Sequence, residues 1–224
     1  MPETFGLIGW PLSHSLSPRI FAALGERYEL RPGPELKPEL WAGLAGFNVT
    51  IPYKQAVIPY LSSLSPEAEA IGAVNCVHEG RGYNTDAPGF ADALLETGYR
   101  ARRARIYGKG GGARAVFWAL EELGVEVVAD GPADLHVNAT PLGMAGFPDA
   151  SPALELPGCR LAFDLVYGRV TPFMRQAPWA VDGSAMLVYQ ALRAWELWRR
   201  KPLTAEGRRA LKNDIIARLW PSAT

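Results

Sequence analysis

Two groups of residues in this sequence have types and spacing suited to chemistry. The first is Gly108-Lys109-Gly110-Gly111-Gly112-Ala113-Arg114. Glycines at this density let a backbone approach phosphate oxygens, and a helix starting beside them adds free N–H groups and the positive end of its dipole. The spacing is G-x-G-G-G-A-R rather than G-x-G-x-x-G, so the motif leans on its flanks: a short apolar run at 104–107 and an alanine-rich helical stretch at 115–123. Strand, glycine turn and helix is the layout that holds a dinucleotide pyrophosphate. The second group is Ser15 and Ser17, within Pro11-Leu12-Ser13-His14-Ser15-Leu16-Ser17-Pro18. Two hydroxyls at a strand end, beside a helix N-terminus, suit a carboxylate ligand. They suit turn and cap positions equally well, and both roles are compatible. Lys54 and Asp86 read, on residue type alone, as a surface cation and a helix cap.

Strands and helices must position these groups. Thr4-Phe5-Gly6-Leu7-Ile8-Gly9 reads as a buried strand. A helix over 19–27 should follow, with Ser17 as its N-cap and Pro18 in its first turn. A strand is expected at 28–30, a short helix at 35–44 among the prolines at 32, 34 and 38, and a β-rich run from Gly46 to Ile51. The spacing then predicts a helix over 56–64, a second helix start at Ser65-Pro66-Glu67, a strand over 71–77 and a hairpin around Glu79-Gly80-Arg81-Gly82. A helix over 90–95 and a basic link at 98–103 lead to the glycine loop. Residues 186–199 form a helix with Leu187, Ala191, Ala194, Trp195 and Trp198 on one face. Thr204 caps a last helix reaching Leu219, whose Arg208, Arg209 and Lys212 read as a solvated basic face.

Composition narrows the class. The chain has 224 residues, enough for one large or two small domains, and its formal net charge is zero, so nothing points to a nucleic-acid partner. Two cysteines make no disulfide framework, and His14, His78 and His136 show no metal-ligand spacing, so no metal is expected. No apolar run approaches the ~20 residues of a membrane span. The N-terminus lacks a basic stretch followed by an apolar one, so no signal peptide is expected and a cytoplasmic location is the default.

Several stretches, in order, resemble the shikimate dehydrogenase family. Ser13-His14-Ser15-Leu16-Ser17-Pro18, Asn48-Val49-Thr50-Ile51-Pro52-Tyr53-Lys54, Gly72-Ala73-Val74-Asn75 and Tyr83-Asn84-Thr85-Asp86 look like its substrate-domain signatures. The glycine loop, Val137-Asn138-Ala139-Thr140-Pro141-Leu142-Gly143-Met144, Phe163-Asp164-Leu165-Val166-Tyr167 and the run from Asp182 to Gln190 look like its cofactor-domain signatures. The resemblance implies that Ser15 and Ser17 bind the shikimate carboxylate. It implies that Thr50, Asn75, Asp86 and Gln190 bond the ring hydroxyls or support the groups that do, with Tyr167 contributing from the cofactor side. It makes Lys54 the catalytic acid/base, paired with Asp86. In the cofactor domain it assigns Gly108, Gly110, Gly111, Gly112 and Ala113 to the pyrophosphate, and Leu165, Val166 and Gly183 to the nicotinamide end. A site built to bond hydroxyls rejects analogues that lack them, which accounts for the many Ser, Thr, Asn, Asp and Gln among these residues.

The chain is short for that family. Residues 18–48 look trimmed. After a strand expected at 125–129, where the family carries an arginine for the 2′-phosphate of NADP, Asp130-Gly131-Pro132-Ala133 leads straight to the next strand at Leu135. A third strand and its helices are missing. Parallel strands normally need a crossover of a dozen or more residues, so either the second strand is very short or Asp130-Gly131 begins a hairpin-like turn. Asp130 stands where a carboxylate binds the ribose 2′-hydroxyl of NAD, or is an ordinary turn residue; Lys109 and Arg114 offer positive charge instead. Ala185 stands where the family has a second glycine.

The expected fold is α/β with two domains. An open, mostly parallel substrate-binding sheet is formed by 1–100 and completed by helices of 186–224. A reduced Rossmann-like dinucleotide-binding domain spans 101–185, with the active site in the cleft between them. The expected activity is reversible reduction of 3-dehydroshikimate to shikimate with NADP, NAD being possible, by a monomer or homodimer without nucleic-acid or membrane partners. The alternatives are a quinate/shikimate-type dehydrogenase using NAD, or a non-catalytic shikimate-binding protein with weakened cofactor binding.

Overall fold

The computed structural model describes residues 3–221. The chain divides into two compact units, 1–85 with 190–224, and 86–189. The first opens with β1 (Thr4–Gly9), α1 (Ser17–Ala23), β2 (Arg27–Pro32), β3 (Gly46–Val49), β4 (Ser63–Leu64), α2 (Pro66–Ile71), β5 (Cys76–His78) and β6 (Arg81–Tyr83). Its sheet runs β2-β1-β3-β5-β6-β4. β1 pairs parallel with β2 and β3, and β4 parallel with β6, while β5 is antiparallel to both β3 and β6. β1 lies inside the sheet, which explains its nearly continuous apolar sequence. Ile8, Phe47, Val49, Tyr53, Val57, Ala68, Val74 and Val77 form one buried cluster.

Proline and glycine set most of the boundaries. α1 begins at Ser17 itself, with Leu16 as N-cap and Pro18 in the first turn, so Ser17 is inside the helix rather than its cap. The helices expected over 35–44 and 56–64 reduce to single 3₁₀ turns, Pro38–Leu40 and Ile58–Tyr60. Proline inside each stretch removes a backbone donor that a longer helix would need. Ser65 caps α2, accepting from the Ala68 N–H, and Gly72 ends it with φ 66°, so strand pairing starts at Cys76 rather than at 71. Glu79 and Gly80, at φ 49° and 76°, make the tight β5–β6 turn.

The second unit contains α3 (Asp86–Glu96), β7 (Arg103–Tyr107), α4 (Gly111–Glu122), β8 (Glu126–Val127), β9 (Leu135–Asn138), β10 (Leu161–Asp164) and β11 (Ala180–Val181). Its sheet is parallel throughout, in the order β11-β10-β9-β7-β8. α3 starts at Asp86, earlier than the expected 90, and packs on α4 within this unit, whereas the sequence reading had placed residues up to 100 in the first.

Among the described residues β8 and β11 are the two edge strands, and no strand lies outside β8. The short crossover to β9 works because β8 is two residues long and sits at the start of β7. Val127 and Leu135 both align with Ala104. The chain therefore steps across β7 without running back along it. Two hydrogen bonds hold the step: Arg103 Nη1 donates to the Pro132 carbonyl at 3.1 Å and the Arg103 N–H to Asp134 Oδ1 at 2.8 Å; beside them an exposed ion pair joins Arg105 Nη2 and Asp130 Oδ1 at 3.0 Å.

α5 (Ser184–Arg199) starts in the second unit and ends in the first. There Trp198 stacks on Phe5 at 4.5 Å and donates to the Val77 carbonyl at 3.1 Å, over Gly46, where a Cβ would stand 2.7 Å from the indole nitrogen. Trp195 donates to Glu26. α6 (Ala205–Leu219) is capped by Thr204, which accepts from the Gly207 N–H. Its supposed basic face is not solvated: Arg208 and Lys212 are 8% and 5% exposed. Arg208 clasps Glu196 through two hydrogen bonds of 2.9 and 3.0 Å. Only Arg209 of the three faces solvent.

Candidate functional site

Each unit presents its own cluster, at the strand ends where open α/β sheets bind ligands. In the first unit the loop after β1 carries Ser15 and Ser17. A turn bonds the Ser15 N–H to the Leu12 carbonyl at 3.0 Å, and the Ser17 N–H donates to Ser15 Oγ at 3.3 Å. Ser15 is half-buried and Ser17 buried. The chain leaving β3 stays bound to β1: Thr50 N–H donates to the Ile8 carbonyl and Trp10 N–H to the Ile51 carbonyl, both at 2.9 Å. Thr50 and Lys54 follow, both half-buried. The Lys54 carbonyl accepts from the Val74 N–H at 2.7 Å, which ties this loop to Asn75.

Asn75 organises the cluster. Its Nδ2 donates to Thr85 Oγ1 at 2.9 Å and to Gln190 Oε1 at 3.3 Å, and its Oδ1 accepts from the Thr85 N–H at 2.6 Å. Its carbonyl accepts from the Val49 N–H and from Asn48 Nδ2. One buried amide thereby joins β3, the end of the β5–β6 hairpin and α5. The structure brings Ser15 and Ser17 together, and Asn75 with Gln190. Sequence reasoning gave no role to Tyr28, whose hydroxyl donates to Asn48 Oδ1 at 2.8 Å while its ring stacks on Phe21 at 4.2 Å. Burial pushes that hydroxyl's pKa up, against the lowering effect of a hydrogen bond with Ser17. Asn48 was visible within a quoted motif, but Tyr28 lies in a strand without any motif.

In the second unit the glycine turn connects β7 to α4. Gly108 has φ 124°, and a Cβ there would stand 2.8 Å from the Ala139 carbonyl oxygen, so both conformation and space demand glycine. Gly110 is the N-cap of α4 and faces open space. The first turn, Gly111, Gly112 and buried Ala113, has neither a side-chain cap nor an acidic residue. At Gly112 a Cβ would meet Leu165 at 3.5 Å, and at Gly183 it would stand 2.2 Å from the Leu165 carbonyl oxygen. The Gly183 N–H donates to the Val166 carbonyl at 2.8 Å. The glycine turn, Leu165, Val166 and Gly183 are thus assembled around one place. An uncapped helix start with open space above Gly110 fits a pyrophosphate.

Asp182, before Gly183, bonds the Gly168 N–H at 2.8 Å. Tyr167 is half-buried, and burial raises the pKa of its hydroxyl. Beneath lies a network to which sequence reasoning assigned no role. Fully buried Asp164 accepts from Thr171 Oγ1 at 2.6 Å, Asn138 Nδ2 at 2.9 Å and the Val166 N–H at 3.0 Å. Burial raises its pKa, and these bonds oppose the shift. Asp86, at the first position of α3, is buried. Lys109 and Arg114 are exposed.

A parallel sheet with a glycine turn leading into an uncapped helix, joined in one chain to a second α/β unit with a polar cluster, is the build of a nucleotide-dependent oxidoreductase. The family model for the shikimate dehydrogenase substrate binding domain matches residues 35–77. An NADP(+)-named shikimate dehydrogenase from Oleidesulfovibrio alaskensis is 35% identical over 270 aligned positions, covering 96% of each chain. That alignment is longer than the chain, so the relative carries segments absent here. The crystal structure of a shikimate 5-dehydrogenase from Thermus thermophilus, in complex with NADP(H) and shikimate, matches with TM-score 0.73 at 31% identity, over 95% of this chain and 99% of that one. A chorismate mutase/shikimate 5-dehydrogenase fusion protein from Clostridium acetobutylicum matches with TM-score 0.83 at 28% identity, over 98% and 97%. The chain belongs to the shikimate dehydrogenase family.

Proposed function

We propose that this protein catalyses the reversible, NADP(H)-linked reduction of 3-dehydroshikimate to shikimate, within the biosynthesis of aromatic amino acids. The observation that carries the reading is the pairing, in one chain, of the cluster organised by Asn75 with the uncapped glycine turn at α4. The relatives named above support it by their printed activity and ligands.

Ser15 and Ser17 hold the substrate carboxylate. Thr50, Gln190 and Tyr167 bond ring hydroxyls, and Asn75, with its amide engaged by Thr85 and Gln190, fixes the orientation of Gln190. Gly108, Gly110, Gly111, Gly112 and Ala113 take the pyrophosphate, and Leu165, Val166 and Gly183 line the nicotinamide end. The bound nicotinamide supplies hydride-transfer chemistry, which leaves the protein one proton to manage. Lys54 donates that proton to the substrate oxygen in the reducing direction and accepts it in the oxidising direction, with Asp86 as its acidic partner. We place the substrate-binding function in the first unit and the cofactor function in the second, and expect a cytoplasmic monomer or homodimer.

The test follows absorbance of the reduced nicotinamide, with shikimate and either NADP+ or NAD+, for the unaltered chain and for Lys54→Ala. Turnover that falls by about 10²–10⁴-fold in the variant is the expected result. Shikimate binding by calorimetry without turnover on either cofactor would overturn it in favour of a binding protein. Faster turnover of quinate would reassign the substrate.

A further inference from the structure

We propose that Arg105, with Asp130 as a displaceable counter-ion, forms the contact for the 2′-phosphate of the cofactor; this rests on the cofactor reading above. Asp130 follows the edge strand β8 and comes 22 positions after Gly108, close to the place where dinucleotide folds meet the adenosine ribose. A carboxylate alone there accepts from a ribose 2′-hydroxyl and repels a 2′-phosphate. In this chain it is not alone: Arg105 Nη2 lies 3.0 Å from Asp130 Oδ1.

The two partners are held very differently. Arg105 belongs to β7, and its guanidinium lies 5.4 Å from the ring centre of Tyr107, the residue just before the glycine turn. Its side chain is 26% exposed, whereas that of Asp130 is 90% exposed, with no strand outside β8 among the described residues. An ion pair with one partner this exposed is weak. A phosphate dianion offers a guanidinium more charge than a carboxylate, and it can make a paired contact where Asp130 is met through Oδ1 at 3.0 Å. The Asp130 carboxylate therefore occupies, in the free protein, the place on Arg105 that a 2′-phosphate takes. With a cofactor lacking that phosphate, Asp130 stays and accepts from the 2′-hydroxyl. Arg105 thus replaces, from the strand before the glycine turn, a cation that would otherwise follow the second strand.

The proposal assigns opposite signs to the two residues. Calorimetric titration with NADP+, NAD+ and adenosine 2′,5′-bisphosphate is made on the unaltered protein, Arg105→Ala, Arg105→Lys and Asp130→Asn. Arg105→Ala should weaken NADP+ and the bisphosphate about 10- to 100-fold and leave NAD+ within about threefold, since a charged hydrogen-bonded contact is lost from the first two only. Arg105→Lys should recover part of that loss. Asp130→Asn should tighten NADP+ by up to about fivefold and weaken NAD+, and it tests the idea independently should Arg105→Ala disturb the β8–β9 crossover. Equal effects on both dinucleotides, or none, would overturn the proposal alone. Failure of the unaltered protein to bind either dinucleotide would overturn the cofactor reading and this proposal with it.

Discussion

At Gly183 an added methyl group would sit 2.2 Å from a backbone carbonyl oxygen, and a backbone atom cannot move aside as a flexible side chain can. Gly183→Ala should destabilise the second unit by at least about 1–3 kcal/mol, the usual cost of overpacking, read as a lowered urea midpoint. Gly110→Ala is the contrasting case. Its φ of −79° suits any residue and its Cβ meets nothing. The fold should lose under ~1 kcal/mol, while NADP+ affinity falls because the methyl group enters the space above the helix start. At this scale the glycine turn between β7 and α4 was legible because it depends on local spacing, whereas Ser17, read as a cap, lies inside α1. The bond from Asn75 to Gln190, and the cluster of Asn138, Asp164 and Thr171, were not, since their members lie far apart in sequence and meet only when strands pair.

Among the elements, α6 holds the clearest misreading and its physical reason. Arg208, Lys212, Ile215 and Leu219 recur at helical spacing and are all buried, so the two cations belong to the apolar stripe rather than to a solvated face. Charge outweighed period in the sequence reading. Arg208→Ala leaves the Glu196 carboxylate, 11% exposed and still bonded by the Leu203 N–H, without its guanidinium and should cost up to about 3 kcal/mol, whereas exposed Arg209→Ala should cost less; chemical denaturation of both variants checks this. The β8–β9 crossover carries a pH dependence. His136, fully buried on β9, has Nε2 at 3.1 and 3.2 Å from the Ala133 and Pro157 carbonyls, so that nitrogen carries the proton and Nδ1 accepts from Tyr107 at 2.9 Å. Burial lowers its pKa, and Arg105 adds to the effect while Asp134 opposes it. The unfolded chain then binds the proton more readily, so stability from this group is complete above about pH 6.5 and declines as pH falls below it. Urea midpoints should drop between pH 7 and 5.5 in the unaltered protein and drop less in His136→Gln. Asp134 adds a separate, lower window. Burial works against its ionisation, but the Arg103 and Arg102 N–H groups and the Tyr99 hydroxyl outweigh it and hold the pKa below the usual value, so its contribution disappears as pH falls through that lowered pKa.

For the whole molecule, the two-sheet architecture was legible because glycine and proline bound short apolar runs such as β1, and because the ordered motifs resemble those of a two-domain family. The shortness of β8 was visible as too few residues for an ordinary crossover; its position at the start of β7 was not, since register is set by pairing. The units differ in how they are assembled from the chain. The second is one continuous segment, 86–189, whereas the first draws on both ends. Its sheet needs Trp198 against Phe5 and Gly46, and Gln190 on Asn75. A chain ending after Tyr189 should keep the cooperative unfolding of the second unit and lose that of the first, seen as loss of slow hydrogen exchange in β1 and β3 while β7 and β9 stay protected. The same division fixes an order of events on the ribosome. The segment made first waits longest: β1 emerges early, yet the stacking surface for Phe5 is still inside the exit tunnel after the whole 86–189 segment is out and free to fold. During that interval Phe5 and Phe21 lack the indole of Trp198 they pack against, while Phe47 can already enter the cluster built from 8–77, so the apolar surface around Phe5 and Phe21 is what a holding chaperone would cover.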